Sequence, residues 1–281
     1  MSRNLIDRYW KAQDPYDPKA LAELRHPAWT LDWPQSGERI ARHEDEVAIS
    51  GHHPDYPNHE LLRETGPSPR WTITPLLTPL RISGEGSLWI MEASLEYPRQ
   101  GVWHNIETFE LRDGLVWRET GWFAPQLDPP EWRSEWVQAT EKPLRPVGVS
   151  VSEDPDAEAR HRTAVERYME RRAAGDLEDA ILHLYHEDAV EELPQSGERI
   201  VGLEDILAVA KHDPEPPTGR VRRLFGRGDL LVGEFELDYS GTPCFWVAII
   251  EFAGEKAARI VGYFTEPSDP PDWRSRWVTR I

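Results

Sequence analysis

A heptapeptide occurs twice in this chain of 281 residues. The segment Pro34–Ile40 reads PQSGERI, and Pro194–Ile200 repeats it letter for letter. Seven identical residues in a row rarely recur by chance, so the repeat indicates that a longer unit is present twice. A second repeat supports this interpretation, because DPPEWRSEWV at Asp128–Val137 closely resembles DPPDWRSRWV at Asp269–Val278.

The spacing of these repeats predicts the domain organisation. We expect a first copy at residues 1–138, a linker at 139–155 that contains three prolines, and a second copy at 156–281. The two blocks lie further apart in the first copy, which therefore carries an insertion near residues 50–70. This insertion is rich in His and Pro.

Both repeated blocks are predicted to be structural. The PQSGERI residues are typical of a turn that connects a strand to a helix. Glu38 is expected to form an ion pair either with Arg39 of its own turn or with groups at the start of the third helix. In the closing block, two Trp residues flank an Arg at a spacing that suits packing against the sheet.

Composition narrows the possible partners and location. The formal net charge is −18, which argues against nucleic acids and anionic membranes as partners. No apolar run is long enough to cross a membrane, and the first residues lack the apolar stretch of a signal peptide. Cys244 is the single cysteine, so no intramolecular disulfide can form. We expect a cytoplasmic protein.

The periodicity of apolar residues predicts the same element order in both copies. Each copy has two helices, a short strand and a third helix, followed by four strands with hairpin signals such as Asp113-Gly114. Three helices are expected to cover one face of a curved antiparallel sheet. The predicted fold is therefore α+β, with two cone-shaped domains packed as a pseudo-twofold pair. Each cone would enclose a cavity that opens at a mouth.

Short motifs within this order resemble the SnoaL-like branch of the nuclear-transport-factor-2-like superfamily. They are Val165-Glu166-Arg167-Tyr168, Ala174-Gly175-Asp176-Leu177, His186-Glu187-Asp188-Ala189-Val190 and Gly262-Tyr263-Phe264, and more weakly Asp7-Arg8-Tyr9 and Gly121-Trp122-Phe123. The resemblance covers nearly all of both copies. It implies the cone fold, but not one function, because this superfold includes polyketide cyclases, ketosteroid isomerases, dehydratases and modules without chemistry.

The resemblance to ketosteroid isomerases can be followed residue by residue. The catalytic Tyr of that family corresponds to Tyr9 and Tyr168. Its base corresponds to Trp33 and Leu193, neither of which can accept a proton, so steroid isomerisation is not expected. Its neutral carboxylic acid, a feature for which this family serves as a standard example, corresponds to Glu107 in the first copy.

Glu107 has the same strand parity as Phe109 and Leu111, so we expect its side chain to point into the first cone. Burial would raise its pKa and make it a general acid or base. The alternative is that this face of the strand points outward. Tyr9 is the second candidate catalytic residue, although such a Tyr is often a core residue with a bonded hydroxyl.

The candidate residues of the ligand pockets are Trp33, Trp103, His104, His52, Tyr168, Leu193 and His212. His52 and His212 occupy matching positions and are expected near the two mouths. The histidines and acids of the insertion match no zinc spacing, so neither a metal nor another cofactor is expected.

Two function classes remain compatible with these residues. The favoured one is a protein that binds a small apolar molecule, and the alternative is an enzyme of the cyclase, isomerase or dehydratase type that uses Tyr9 and Glu107. Any ligand is assigned to the first cone, because Ala248 replaces Glu107 in the second copy and suits a filled core. The insertion would then cover the first pocket as a lid.

The duplication also predicts the oligomeric state. Because the partner of each copy is already tethered to it at high effective concentration, the chain is expected to be a monomer that contains an internal pseudo-dimer. Light scattering at micromolar concentration should give the mass of one chain. A stable dimer would contradict the prediction.

Overall fold

The computed structural model describes residues 2–13, 16–52, 76–97, 101–140, 151 and 153–281. The predicted insertion beyond residue 52 and most of the predicted linker lie outside the described residues. The chain divides into two compact units. The first unit comprises Met1–Pro125 and Ser268–Ile281, and the second comprises Gln126–Pro267.

The elements of the first copy follow the predicted order. They are α1 (Ser2–Gln13), α2 (Pro18–Leu24), β1 (Arg25–Trp33), β2 (Glu38–Ile40), α3 (His43–His52), β3 (Leu76–Glu85), β4 (Leu88–Tyr97), β5 (Gly101–Arg112) and β6 (Leu115–Pro125). A 3₁₀ turn at Glu131–Arg133 and the two-residue strand β7 (Gln138–Ala139) come next.

The second copy has the same sequence of elements. They are α4 (Pro155–Ala173), α5 (Leu177–Leu184), β8 (Tyr185–Leu193), β9 (Glu198–Val201), α6 (Leu203–His212), β10 (Thr218–Arg227), β11 (Leu230–Tyr239), β12 (Thr242–Ala253) and β13 (Lys256–Thr265). A 3₁₀ turn at Asp272–Trp277 and strand β14 (Thr279–Arg280) end the chain.

Each unit contains one seven-stranded sheet, and the two sheets have the same strand order. The first sheet runs β14-β2-β1-β6-β5-β4-β3, and the second runs β7-β9-β8-β13-β12-β11-β10. Most neighbours are antiparallel, as predicted. However, β1 is parallel to β6 and β8 is parallel to β13. The first strand of each copy therefore lies beside the last long strand and parallel to it. Each sheet thus contains both parallel and antiparallel pairs.

Local sequence signals account for where the helices begin. The Asp17 carboxylate accepts a hydrogen bond from Ala20 N at 3.0 Å, and a proline follows it at the first helical position of α2. Asp154 caps α4 in the same way, through Ala157 N at 3.0 Å. Such caps satisfy backbone N–H groups that lack partners within the helix.

The core of each unit lies between its helices and one face of its sheet. In the first unit α1 contributes Leu5, Ile6, Tyr9 and Ala12 to this core, and in the second unit α4 contributes Val165, Tyr168 and Met169. These residues recur at helical spacing, which is why the sequence pattern located both helices. None of the helices in the described residues is long and apolar enough to cross a membrane.

The PQSGERI heptapeptide forms a hairpin turn between two strands of the sheet in both units. Gly37 and Gly197 have φ angles of 62° and 65°. This left-handed conformation favours glycine, which explains why the turn keeps it in both copies.

The closing segments, which contain the closing blocks and span residues 126–139 and 268–281, are exchanged between the two copies. In the first unit the segment from the end of the chain pairs through β14 with β2, and Ser268 N donates to Gln35 O at 2.9 Å. In the second unit the segment that follows the first copy pairs through β7 with β9, and Leu127 N donates to Gln195 O at 2.8 Å. The units therefore differ from the predicted boundaries, which assigned residues 126–138 to the first copy and 268–281 to the second.

A buried ion pair fastens each closing segment to the heptapeptide. Arg274 Nε donates to Glu38 Oε1 at 3.1 Å, and Glu38 is fully buried. In the second unit Arg133 Nε donates to Glu198 Oε2 at 3.2 Å. The predicted partners of Glu38 were therefore wrong. Arg39 pairs instead with Asp32, because adjacent strand residues point to opposite faces of the sheet.

Removal of the Arg274 charge should destabilise the first unit. In an Arg274→Gln variant the Glu38 carboxylate stays buried without its cation, which should lower the free energy of unfolding by about 3 kcal/mol. Urea denaturation followed by tryptophan fluorescence measures the loss. The control is Arg276→Gln, an exposed residue of the same segment that stacks on Trp277, with an expected loss below about 1 kcal/mol. Equal losses in the two variants would contradict the assignment.

Candidate functional site

Side chains from α1, β1 and β6 meet inside the first unit at the carboxylate of Glu119. The Tyr9 hydroxyl and the Trp29 indole N–H both donate to Glu119 Oε1. Arg25 Nε donates to the Tyr9 hydroxyl oxygen at 2.7 Å and lies 3.6 Å from Glu119 Oε1. All four residues are buried, so these contacts replace the water that the polar groups would otherwise bind.

Arg25 extends this group of residues to α3. Its guanidinium donates to Glu46 Oε2 at 3.1 Å and lies 2.6 Å from His43 Nδ1. The Tyr16 hydroxyl donates to the same Glu46 oxygen at 2.7 Å. The guanidinium carbon also lies 3.9 Å from the centre of the Trp29 ring. Arg25 therefore links two acidic residues from different elements.

Glu107 adds a further carboxyl group. It lies on β5 opposite Gly121 of β6, and its side chain is hydrogen-bonded to Glu119. Burial, followed by the charge of Glu119, raises the pKa of Glu107 well above its usual range. Two adjacent buried negative charges repel each other, so the charge of Glu119 disfavours ionisation of Glu107. We call Tyr9, Tyr16, Arg25, Trp29, His43, Glu46, Glu107 and Glu119 the first-unit cluster.

Ionisation states within the cluster follow from burial and neighbouring charge. Burial raises the pKa of Tyr9 well above its usual range, and Glu119 raises it further although Arg25 opposes the shift. Burial alone would lower the pKa of Arg25, but Tyr9, Glu119 and Glu46 raise it overall. Tyr9 is therefore a neutral hydrogen-bond donor, and Arg25 is a permanent cation.

Glu107 is the more accessible member of the carboxyl pair. Its exposure is 8%, compared with 1% for Glu119. The Trp33 indole covers Gly121, the residue opposite Glu107 on β6, since a Cβ atom at Gly121 would lie 3.3 Å from it. Trp33 also contacts Phe123 edge to face, with ring centres 6.5 Å apart. An aromatic ring therefore covers the strand position opposite Glu107.

The structure brings together only part of the predicted site. Glu107 points into the first unit, and Tyr9 lies in the same cluster, but the Tyr9 hydroxyl is already bonded to protein groups. Trp33 and Trp103 are partly buried and pack against the first core. His104 is adjacent to Trp103 on one strand, so it points to the opposite face and does not share the interior. The prediction that both line one pocket was wrong.

The two matched histidines end α3 and α6 and are exposed. His52 lies against Trp277, with ring centres 4.9 Å apart, and His212 stacks on Trp136 at 4.5 Å. Both contacts are made by tryptophans of the closing segments. Each histidine therefore meets the segment that completes its unit, which sequence reasoning did not foresee.

The remaining predicted residues, Tyr168 and Leu193, are buried in the core of the second unit. This unit provides an internal comparison for the cluster, since Ile260 on β13 has the register position beside β8 that Glu119 has beside β1. Apolar residues also occupy the positions that match three further members of the first-unit cluster. Ala189 corresponds to Trp29, Ile206 to Glu46 and Ala248 to Glu107. The same strand order is therefore formed without the cluster.

Sequence reasoning missed Arg25, Trp29, Glu46 and Glu119. Each is polar or aromatic where the second copy has an apolar or uncharged residue, so a full comparison of the two copies could have identified them. Among the residues that the structure describes, no group of three or more His, Cys, Asp or Glu side chains is arranged to hold a metal ion.

A family model described as a SnoaL-like domain matches residues 165–260. These residues form a SnoaL-like domain. The SnoaL-like assignment agrees with the helices and four-stranded meander of the second unit, which contain most of the matched residues. A search of curated proteins found no match.

Solved structures with similarity to the chain have NTF2-like folds. An NTF2-like protein of unknown function from Burkholderia xenovorans is 39% identical, with a TM-score of 0.43, and the match covers 44% of this chain and 98% of that one. A proposed ketosteroid isomerase from Kribbella flavida is 25% identical, with a TM-score of 0.39 and coverage of 44% and 90%. A proposed SnoaL-like polyketide cyclase from Jannaschia is 16% identical, with a TM-score of 0.35 and coverage of 43% and 100%.

The raised pKa of Glu107 predicts a pH-dependent difference in stability. The folded state binds the Glu107 proton more tightly than the unfolded state, in which the carboxyl group has a pKa of about 4.5. Stability from this group is therefore complete below that value and is lost as pH rises through the folded-state pKa. Glu107→Gln mimics the protonated acid, so its free energy of unfolding should increasingly exceed that of the unmodified protein as pH rises.

Urea denaturation across this pH range measures the difference. The gap should grow by up to about 1.4 kcal/mol per pH unit. An exposed glutamate variant, Glu23→Gln, is the control and should show no such trend. Parallel pH profiles for Glu107→Gln and the unmodified protein would contradict a raised pKa.

Proposed function

We propose that the first unit binds a small, mostly apolar molecule that carries a carbonyl or similar acceptor oxygen. The Glu107 carboxyl group donates its proton to that oxygen in a hydrogen bond. The observation that carries this proposal is the polar cluster of the first unit, which the second unit replaces largely with apolar residues while keeping the same strand order.

The energetic cost of the cluster supports a functional role. Burying ionised groups is expensive, and replacing them with packed apolar residues is often neutral or stabilising. Ile206, Ala248 and Ile260 in the second unit are such replacements. A costly group of ionisable residues that the fold does not require is typical of a functional site.

The charge and shape of the cluster define the ligand class. Arg25 contributes one positive charge, Glu46 one negative charge, and the Glu107–Glu119 pair one more negative charge when it holds one proton. The resulting negative charge disfavours an anionic ligand. Trp33, beside Glu107, offers an aromatic surface for an apolar body. A neutral molecule with an acceptor oxygen satisfies both conditions.

The carboxyl pair also favours a second candidate function, proton transfer of the isomerase, cyclase or dehydratase type. Glu107 is a neutral acid in contact with a second carboxyl group, so it could protonate a carbonyl oxygen and then recover a proton. Glu119 is too buried to reach a ligand itself. Its role in such a reaction would be to set the proton affinity of Glu107.

Two naphthalene probes that differ in one oxygen test the binding proposal. Acetylnaphthalene carries a carbonyl group, and ethylnaphthalene has nearly the same shape without it. The unmodified protein should bind acetylnaphthalene about tenfold more tightly, which is the value of one buried hydrogen bond. Quenching of tryptophan fluorescence measures both dissociation constants.

The preference for the carbonyl probe should disappear in Glu107→Leu. It should persist in Glu107→Gln, whose amide still donates, and should then no longer weaken as pH rises. Ala248→Ser, at the matched position of the second unit, is the control and should bind both probes like the unmodified protein. A carbonyl preference that survives in Glu107→Leu would overturn the proposal.

A further inference from the structure

Trp33 and Glu38 are register partners on the hairpin that the first heptapeptide forms. Residues directly opposite each other on antiparallel strands point to the same face of the sheet, so the indole and the carboxylate lie side by side. Arg274 of the closing segment contacts both. Its Nε donates to Glu38 Oε1 at 3.1 Å, and its guanidinium carbon lies 4.6 Å from the centre of the Trp33 ring.

The position of the Trp33 ring matters to the first-unit site because the ring covers Gly121, opposite Glu107. The ring lies so close to Gly121 that a side chain there would crowd it. It also meets Phe123 edge to face. However, Trp33 is only half-buried. A half-buried ring has other rotamers within reach, so the contact with the guanidinium restricts where the indole can lie.

The second unit separates the two contacts of this arginine. Arg133, which matches Arg274, donates to Glu198 Oε2 at 3.2 Å. The register partner of Glu198 is Leu193, which has no aromatic ring. The ion pair is therefore common to both units, whereas the arginine meets an indole at this position only in the unit that contains the cluster. Maintaining the fold requires the ion pair but not the stacking.

We propose that Arg274 is a positioning residue of the first-unit site. Its guanidinium holds the Trp33 indole over Gly121 and so fixes the aromatic surface against which the apolar body of the ligand lies. A lysine would keep a positive charge for Glu38 but would lack the planar group that stacks on a ring. The effect on ligands rests on the function proposed for the first unit, whereas the position of the indole can be measured without a ligand.

The first experiment therefore uses the full chain without a ligand. In a proton–nitrogen correlation NMR spectrum, the indole N–H signal of Trp33 is the one that Trp33→Phe lacks. Arg274→Lys should shift this signal, because the ring loses the stacked guanidinium. Arg133→Lys changes the matched ion pair of the second unit and should leave the signal in place. An unshifted Trp33 signal in Arg274→Lys would overturn the proposal without affecting the function proposed for the first unit.

The acetylnaphthalene and ethylnaphthalene probes measure the consequence for ligands. Arg274→Lys should weaken the binding of both by about fivefold, since the aromatic surface is held less firmly. The preference for the carbonyl probe should remain, because Glu107 is intact. Arg133→Lys is the matched control and should bind both probes like the unmodified protein. Affinities that are the same in Arg274→Lys and in the unmodified protein would overturn the proposal.

A double variant distinguishes positioning from a general effect on the fold. Trp33→Leu copies the second unit and leaves the ion pair intact, so it should itself weaken both probes, and it remains a test if Arg274→Lys does not fold. In the Trp33→Leu background, Arg274→Lys should cause no further loss of affinity, because the ring through which Arg274 acts is absent.

Two outcomes separate this proposal from the function proposed for the first unit. Losses of affinity that add in the double variant, or a Trp33→Leu variant that binds both probes normally, would overturn the positioning role alone. An unmodified protein that binds neither probe would contradict the function proposed for the first unit. A shifted Trp33 signal in Arg274→Lys would in that case still confirm that Arg274 holds the indole.

Discussion

The first unit is organised around a buried carboxylate that cannot remain without partners. Glu119 receives hydrogen bonds from α1 and β1 and contacts the carboxyl group of Glu107 on β5. Because an isolated buried charge would cost far more than a folded domain can tolerate, each of these contacts is a condition for placing Glu119 there. Arg25 supplies the positive charge and connects the cluster to α3.

The second unit shows that the fold does not depend on the first-unit cluster. Its sheet has the same order with Ala248 and Ile260 at the positions of the two carboxyl residues. What both units share is the ion pair between the heptapeptide and a closing segment, Glu38 with Arg274 and Glu198 with Arg133. The interactions that maintain the fold are thus repeated, whereas the groups suited to ligands differ between the units.

Sequence reasoning predicted the elements well and their connections less well. Helical spacing located α1 and α4, and strand parity placed Glu107 inside. The exchange of closing segments was not predictable, because a repeat states that two segments are equivalent but not which unit each joins. Glu119 and Arg25 were missed because their roles depend on neighbours that are distant in sequence. His104 was misplaced because its strand parity was not applied consistently.

The central claim is that Glu107 keeps its proton at pH values at which an ordinary glutamate is ionised. Infrared spectroscopy measures this directly, since a protonated carboxyl group has a C=O stretching band distinct from that of a carboxylate. The difference spectrum between the unmodified protein and Glu107→Gln near neutral pH should contain one protonated carboxyl band that the variant lacks. A difference spectrum that shows only the loss of an ionised carboxylate would contradict the account.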